Sequence, residues 1–263
     1  MADHRSLRAP EERIETLVQP GSARRNVAAT VVHDVPRHIE QTLFDELRTG
    51  ALSDNPDDCL RVAKAAVAKG TRPEDIADFY VPALAREMGD QWCKDKLSFA
   101  GVTIGTSRLQ AVLRALGPNW SGDNVSGPNG PSILLIVGQE VYHTLGAIVL
   151  SGQLRRKGFS VKLILGGKQE SIADQINRTN YQGVFISSSC GETLESLRKI
   201  VKAVKGSTTS PPPLVVGGTV LEVETAENVM ALTGADYATN IPDEALKFCG
   251  LQITHKPQTG RRL

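Results

Sequence analysis

The residue in this chain with the most chemistry available to it is a single histidine. His143 lies in the segment Gly138-Gln-Glu-Val-Tyr-His-Thr-Leu-Gly146, directly after the apolar run 133–137. A short apolar run bounded by turn residues reads as a buried strand of a parallel sheet. Beyond the segment, Leu145, Ile148, Val149 and Leu154 recur at helical spacing up to Lys157. His143 is therefore expected in a strand-to-helix loop at the carboxyl edge of a sheet, where open α/β sheets bind ligands. Imidazole is a good donor to a transition metal, and a loop at that edge can present it to one. A histidine met alone in such a loop would be a solvated residue near a helix start. The surrounding elements decide between these readings.

Four further stretches read as strands. They are 159–165, 183–189 (containing Ser187 and Ser189), 214–218 (ending in Gly217-Gly218) and 234–240 (containing Tyr237). Strands alternating with helices from about 132 to 250 predict roughly five parallel strands joined by crossovers. The first half is helical instead. Ile39, Leu43 and Leu47 give one amphipathic stripe. Asn55-Pro-Asp-Asp opens a second helix with a capping residue and N-terminal acids, and Gly70 ends it. Thr71 or Arg72 caps a third, with Pro73 in its first turn, running through Ile76, Phe79, Leu84 and Met88 towards Trp92. The last spans about 98–116 and is unusually rich in glycine at Gly101 and Gly105, each costing about 1 kcal/mol relative to alanine. Either close helix contacts or room for a ligand would account for them.

The expected organisation is a loosely ordered arm over 1–35, with one short helical pattern near Ile14 to Val18. A helical-bundle domain over 36–118, a turn-rich linker over 119–131, a sheet domain over 132–251 and a polar tail over 252–263 follow. The fold class is thus α plus α/β, a four-helix bundle followed by a flavodoxin-like doubly wound parallel sheet.

Composition removes several functions. Thirty basic and 29 acidic residues leave a net charge of +1, with no general electrostatic grip on nucleic acid or an anionic membrane. Aromatic content of 5% argues against a stacking platform for single strands. Cys59, Cys93, Cys190 and Cys249 form no Cys-x-x-Cys pair, so a zinc site is not expected. With no signal-peptide pattern and no long apolar run, a cytoplasmic location is expected.

Across roughly residues 80–250 the chain resembles the cobalamin-binding domains of methionine synthase, methylmalonyl-CoA mutase, corrinoid shuttle proteins and cobalamin photoreceptors. Their pattern is Asp-x-His-x-x-Gly, then Ser-x-Leu, then Gly-Gly. Here the first reads Val141-Tyr-His143-Thr-Leu-Gly146, the second Ser187-Ser-Ser189 and the third Gly217-Gly218. The resemblance implies that His143 is the lower cobalt ligand, flanked by Tyr142, Thr144 and Leu145. It further implies a nucleotide tail passing Gly146, a hydrogen bond from Ser187, with Ser189 nearby, and space at Gly217-Gly218, with Tyr237 on the adjoining strand. The acid that normally holds the histidine's second nitrogen is Val141 here, a loss worth about 10–100-fold in metal affinity unless another group substitutes.

Met88-Gly-Asp-Gln-Trp92 resembles the Gly-x-x-Trp segment of the helical domain that caps cobalamin in methyl carriers and photoreceptors. Trp92 is implied as the corrin cap rather than a core residue. Photoreceptors place Glu-His where this chain has Val102-Thr103, which favours aquo- or hydroxocobalamin over the adenosyl form. A helical cap, an altered histidine motif and no catalytic domain together resemble the AerR/PpaA family of photosynthesis-gene antirepressors. That family implies a non-enzymatic regulator binding cobalamin (haem being the lesser alternative). Its partner would be a redox-responsive repressor protein of photosynthesis genes, with DNA contacted only through or beside that partner. A corrinoid methyl carrier and a non-regulatory cobalamin carrier are the alternatives. No basic recognition helix supports a stand-alone repressor.

Overall fold

The second half of the chain builds a sheet buried on both faces, which is why its strands are apolar runs rather than alternating ones. The structure, a computed structural model, describes residues 39–121, 130–138, 144–166, 169–189 and 191–251. Strands β1 (Ser132–Val137), β2 (Ser160–Leu165), β3 (Gly183–Ser188), β4 (Leu214–Gly218) and β5 (Tyr237–Ala238) pair in parallel in the order β2-β1-β3-β4-β5. This is the flavodoxin-like doubly wound order, with its switch point between β1 and β3. Along β1 the side chains divide by parity. Leu134 and Ile136 enter one core with Ile186 and Val216, while Ile133, Leu135 and Val137 enter another with Phe185 and Val215. β5 is only two residues long, shorter than the expected 234–240.

The helical half comprises α1 (Gln41–Leu52), α2 (Asp58–Ala68), a continuous helix formed by α3 (Pro73–Asp75), a π-helical segment (Ile76–Tyr80) and α4 (Val81–Cys93), and then α5 (Phe99–Leu116). At Gly50 of α1 an added Cβ would lie 2.8 Å from the Cys59 backbone nitrogen, so glycine sets how closely α1 and α2 cross. α2 closes as the sequence predicts. Gly70 takes φ +106, and the Gly70 and Thr71 amides donate to Val67 and Ala66, a Schellman ending.

Three details differ from the sequence reading. Asn55 does not cap α2; its Oδ1 accepts from the Asp57 amide, making a turn ahead of the helix. The third helix has Arg72 at its N-cap, one of the two expected positions, but no side chain caps it. The π-helical segment was not expected, because an extra residue per turn leaves no mark in a short apolar pattern.

The expected linker 119–131 begins inside a helical turn, α6 (Pro118–Ser121). Trp120 is 5% exposed; its Nε1–H donates to the Leu113 carbonyl at 2.6 Å, and its ring covers Gly152, where an added Cβ would come within 2.6 Å of ring carbon. Gly152 belongs to α7 (Leu145–Arg156), the helix that follows His143 in the sequence. α7 is buried on two sides. Ala147 and Leu154 face the sheet, whereas Leu145 and Val149 join the core of the helical bundle. At its end Arg156 donates to the Trp120 carbonyl and to Asp78 in the π segment. Bundle and sheet are packed together through α7 and Trp120. The arm 1–35 and the tail 252–263 lie outside the described residues, as do 122–129 of the expected linker.

The remaining helices are α8 (Gln169–Arg178), α9 (Leu194–Lys205), α10 (Val220–Val223), α11 (Ala226–Thr233) and α12 (Pro242–Phe248). α8, α9 and α11 cover one face of the sheet, and α12 lies with α7 on the other. No helix among the described residues is long and apolar enough to cross a membrane.

Candidate functional site

Strand register places the expected motif residues side by side at the carboxyl edge. Val137 pairs with Leu165 and with Ser187, Ser187 with Gly217, and Ser188 with Gly218. His143 and Tyr142 lie outside the described residues, as do Val141, Cys190 and the other histidines, His4, His33, His38 and His255. Covalent connection bounds the central residue nonetheless, since His143 joins Thr144, the residue that precedes α7. Thr144 is half-buried, and its hydroxyl accepts from Gln110 Nε2 of α5 at 3.3 Å.

That bond orients the bundle against the edge. Gln110 meets Thr144 at the start of α7, and Trp120, bonded to Leu113, meets Gly152 two turns further along α7. α5 continues ahead of Gln110 towards its N-terminus; Thr103 lies seven residues earlier, about 10 Å along the helix at 1.5 Å per residue. This part of the bundle carries large exposed apolar side chains: Phe99 (69% exposed), Ile104 (49%) and, from α4, Trp92 (44%). The rings of Trp92 and Phe99 lie 6.1 Å apart at 59°. Trp92 is thus no core residue. Val102 is half-buried and Thr103 exposed, but the Thr103 hydroxyl donates to the Phe99 carbonyl at 2.9 Å and its only proton is spent within the helix. The glycines of α5 serve packing. A Cβ at Gly105 would collide with Met88 Sδ, and one at Gly101 would lie 2.7 Å from Leu97 Cδ1.

The edge residues divide similarly. Gly146 is exposed, and among the described residues a Cβ there would meet nothing within 4 Å. Exposed Leu165 at the end of β2 and half-buried Ser187 at the end of β3 flank the end of β1. Gly217 and Gly218 were expected to leave space for a ligand; the structure gives them another reason. A Cβ on Gly217 would stand 2.6 Å from the Thr239 carbonyl oxygen, and one on Gly218, at φ +105, would strike the Ser188 carbonyl. Backbone, not a cavity, requires these glycines. The Gly218 amide donates to Asn240 Oδ1 at 2.7 Å, which holds β4 against the chain beyond β5.

Three expected contacts do not face the site. Leu145 is buried in the bundle core, Ser189 is buried behind the end of β3, and Tyr237 lies back from the edge opposite Val215, its ring stacked on Phe248 at 4.8 Å. One residue was missed. Glu192, between β3 and α9, is 7% exposed, and its carboxylate packs where a Cβ on Gly138 would stand, at the end of β1. A glutamate just before a helix looks in sequence like an ordinary end-of-helix acid, so only the tertiary contact reveals it. Elsewhere burial pushes the Cys59 and Cys249 thiols up to about 11. Among the described residues no three His, Cys, Asp or Glu side chains gather as a metal cluster.

This geometry can be set beside known proteins. Residues 131–246 match the family model of the B12 binding domain. Over 167 residues the chain is 34% identical to an uncharacterized 20.5 kDa protein in the bchF-crtJ intergenic region of Rhodobacter capsulatus, covering 64% of this chain and 86% of that protein. The chain belongs to that protein's family and carries a B12-binding domain. In fold, it superposes on the monomethylamine corrinoid protein of Methanosarcina barkeri with a TM-score of 0.64 at 15% identity, spanning 79% of this chain and 97% of the other. Among the described residues, the chemistry of Gly146, Leu165 and Ser187 fits a corrinoid, one hydroxyl standing beside an apolar side chain and a glycine with no described neighbour.

Proposed function

We propose that this chain is a non-enzymatic, cobalamin-dependent regulator, an antirepressor acting through a redox-responsive repressor protein of photosynthesis genes. The observation that carries the reading is the exposed apolar group on the bundle. α4 and α5 leave Trp92, Phe99 and Ile104 exposed, while Gln110 ties the same α5 to Thr144, the residue that follows His143 in sequence. A flat macrocycle above the edge would cover these apolar side chains, each worth about 1.5–3 kcal/mol when fully buried. Cobalamin, when bound, would supply a cobalt ion able to exchange ligands.

The chain's own residues have separable parts. His143 would hold the cobalt, Gly146 would leave room beside α7, Ser187 would offer a hydroxyl to the nucleotide tail, and Trp92 would cover the corrin. Haem is the lesser alternative. The location of the related gene region, between bchF and crtJ, supports a photosynthetic context. The partner receives the signal from the protein surface around α4 and α5, and DNA is contacted through or beside that partner, because a net charge of +1 supplies little phosphate neutralisation.

A second reading, a corrinoid carrier without regulatory output, draws on the fold likeness to the monomethylamine corrinoid protein. The two separate in one experiment. Capture of the purified repressor by cofactor-free and cobalamin-loaded chain should differ several-fold under the regulatory reading. Equal capture would leave the carrier reading standing.

A further inference from the structure

Helix α9 spends its apolar side chains Leu197, Ile200, Val201 and Val204 on the core, which leaves Arg198, Lys199 and Lys202 exposed. Basic residues on a covering helix are ordinarily a solvated face, and those in the last turn also favour the helix C-terminus. Two observations set this face apart. α9 and its neighbour α11 enclose a groove of about 490 Å³, with Arg198, Lys202 and Lys205 on one side and Leu232 on the other. Its floor is apolar. Val201 lies 3.9 Å from where a Cβ on Gly234 would stand, and Gly234, the left-handed end of α11, brings no side chain to fill the space. Leu232 stands 52% exposed at the rim.

The charges around the groove are unevenly matched. Lys205 bonds Asp236 at 2.6 Å, and Asp236 accepts in turn from the amide of Leu214, the first residue of β4. Arg198 has Glu195 at 3.6 Å, an exposed pair that contributes little. Lys202 makes no ion pair among the described residues. The chain of bonds from Lys205 through Asp236 to Leu214 also fixes the location. The groove opens at the amino edge of the sheet, on the face covered by α8, α9 and α11, whereas the bundle packs on α7 across the other face. It stands apart from the candidate corrin site, at the opposite edge.

One free ammonium and one loosely held guanidinium are too few for a phosphate backbone, whose grip needs several charges neutralised at once. None of the lining residues is aromatic, so no base could stack there. An apolar floor between cations suits instead an apolar side chain flanked by carboxylates.

We propose that the groove between α9 and α11 is a docking site for an acidic segment of a partner protein. One leucine-sized side chain of that segment sits over Val201 against Leu232, and its carboxylates face Arg198 and Lys202. The partner is held there whether or not the opposite edge of the sheet carries a cofactor.

The test uses the full chain and a fluorescein-labelled peptide of repeating Glu-Glu-Leu, read by anisotropy at low and high salt. Wild type should bind it, and more weakly as salt rises. Lys202→Glu should weaken binding roughly tenfold, through lost attraction and new repulsion. Leu232→Asp should weaken it by roughly the same factor, through loss of the apolar rim. Both residues are exposed, so both variants should melt like wild type. Lys64→Glu, the same charge change on exposed surface of α2, should leave affinity unchanged. Absence of binding by wild type overturns the proposal. Equal losses in Lys202→Glu and Lys64→Glu do so too, as does equal binding of a peptide with serine in place of leucine. A single-stranded oligonucleotide that binds more tightly than the peptide and is released by Lys202→Glu would give the groove to nucleic acid instead. Self-association in sedimentation that Leu232→Asp abolishes would give it to a second copy of the chain; either result overturns the assignment. Failure of wild type to hold cobalamin, with peptide binding intact, removes the cofactor reading and leaves the groove as assigned.

Discussion

Gln110 of α5 donates to the Thr144 hydroxyl at 3.3 Å, tying the helical bundle to the residue that follows His143. A partly buried bond of this kind contributes about 1 kcal/mol. Gln110→Ala should lower the melting temperature only slightly while weakening cobalamin retention several-fold, since α5 is then free to shift relative to α7. Titration of both proteins decides it. Equal affinity would mean that α5 is positioned by core packing alone.

The clasp at the other end of α7 concerns stability. Arg156 bonds Asp78 and the Trp120 carbonyl, and both charged side chains are less than a fifth exposed. Removing the cation strands a buried carboxylate, so Arg156→Ala should cost about 3 kcal/mol. Asp78→Asn should cost far less. Burial, the largest influence, raises the Asp78 carboxyl above its ordinary value despite Arg156. A raised folded-state value means that its contribution is fully present below the unfolded value and declines as pH rises through the folded one. The stability of wild type relative to Asp78→Asn should therefore be greatest in acid and fall across the carboxylate range and just above it. Denaturant unfolding from acid to neutral pH measures both variants.

Gly218 distinguishes backbone packing from ligand room. With φ +105 and the Ser188 carbonyl where a Cβ would stand, Gly218→Ala should destabilise the cofactor-free protein by roughly 1–3 kcal/mol or more. A variant whose cofactor-free form melts like wild type, and which loses only cobalamin binding, would contradict the packing explanation.

Under the proposed reading, Thr103 and Val102 would lie on the upper side of the corrin. With the Thr103 proton held by Phe99 and no polar side-chain atom on Val102, α5 has little to offer an adenosyl group. Aquo- or hydroxocobalamin should be retained several-fold better than adenosylcobalamin in parallel titrations. Tighter binding of the adenosyl form would oppose this.

The sheet was legible in sequence because strands buried on both faces must be continuous apolar runs, and 133–137 and 214–218 are such runs. The bundle was legible from the spacing of Leu43, Leu47, Leu84 and Met88 and from the Gly70 ending. What escaped depends on contacts between distant segments. Trp120 sits among turn formers and reads as linker until Gly152 of α7 supplies a flat surface for its ring. Gly217 and Gly218 read as space for a ligand until Thr239 and Ser188 are seen to crowd them. Glu192 has no periodic or motif signature at all. Its meaning arises only because β3 lies beside β1.

The central claim is ligation by His143, and one pair of spectra tests it most directly. Wild type and His143→Ala are each loaded with methylcobalamin, freed of excess cofactor and recorded in the visible range. Wild type should retain cobalamin with the absorption of an imidazole lower ligand, and His143→Ala should lose most of the cofactor and show a water-ligated form in whatever remains. Identical retention and identical spectra in the two proteins would contradict the account.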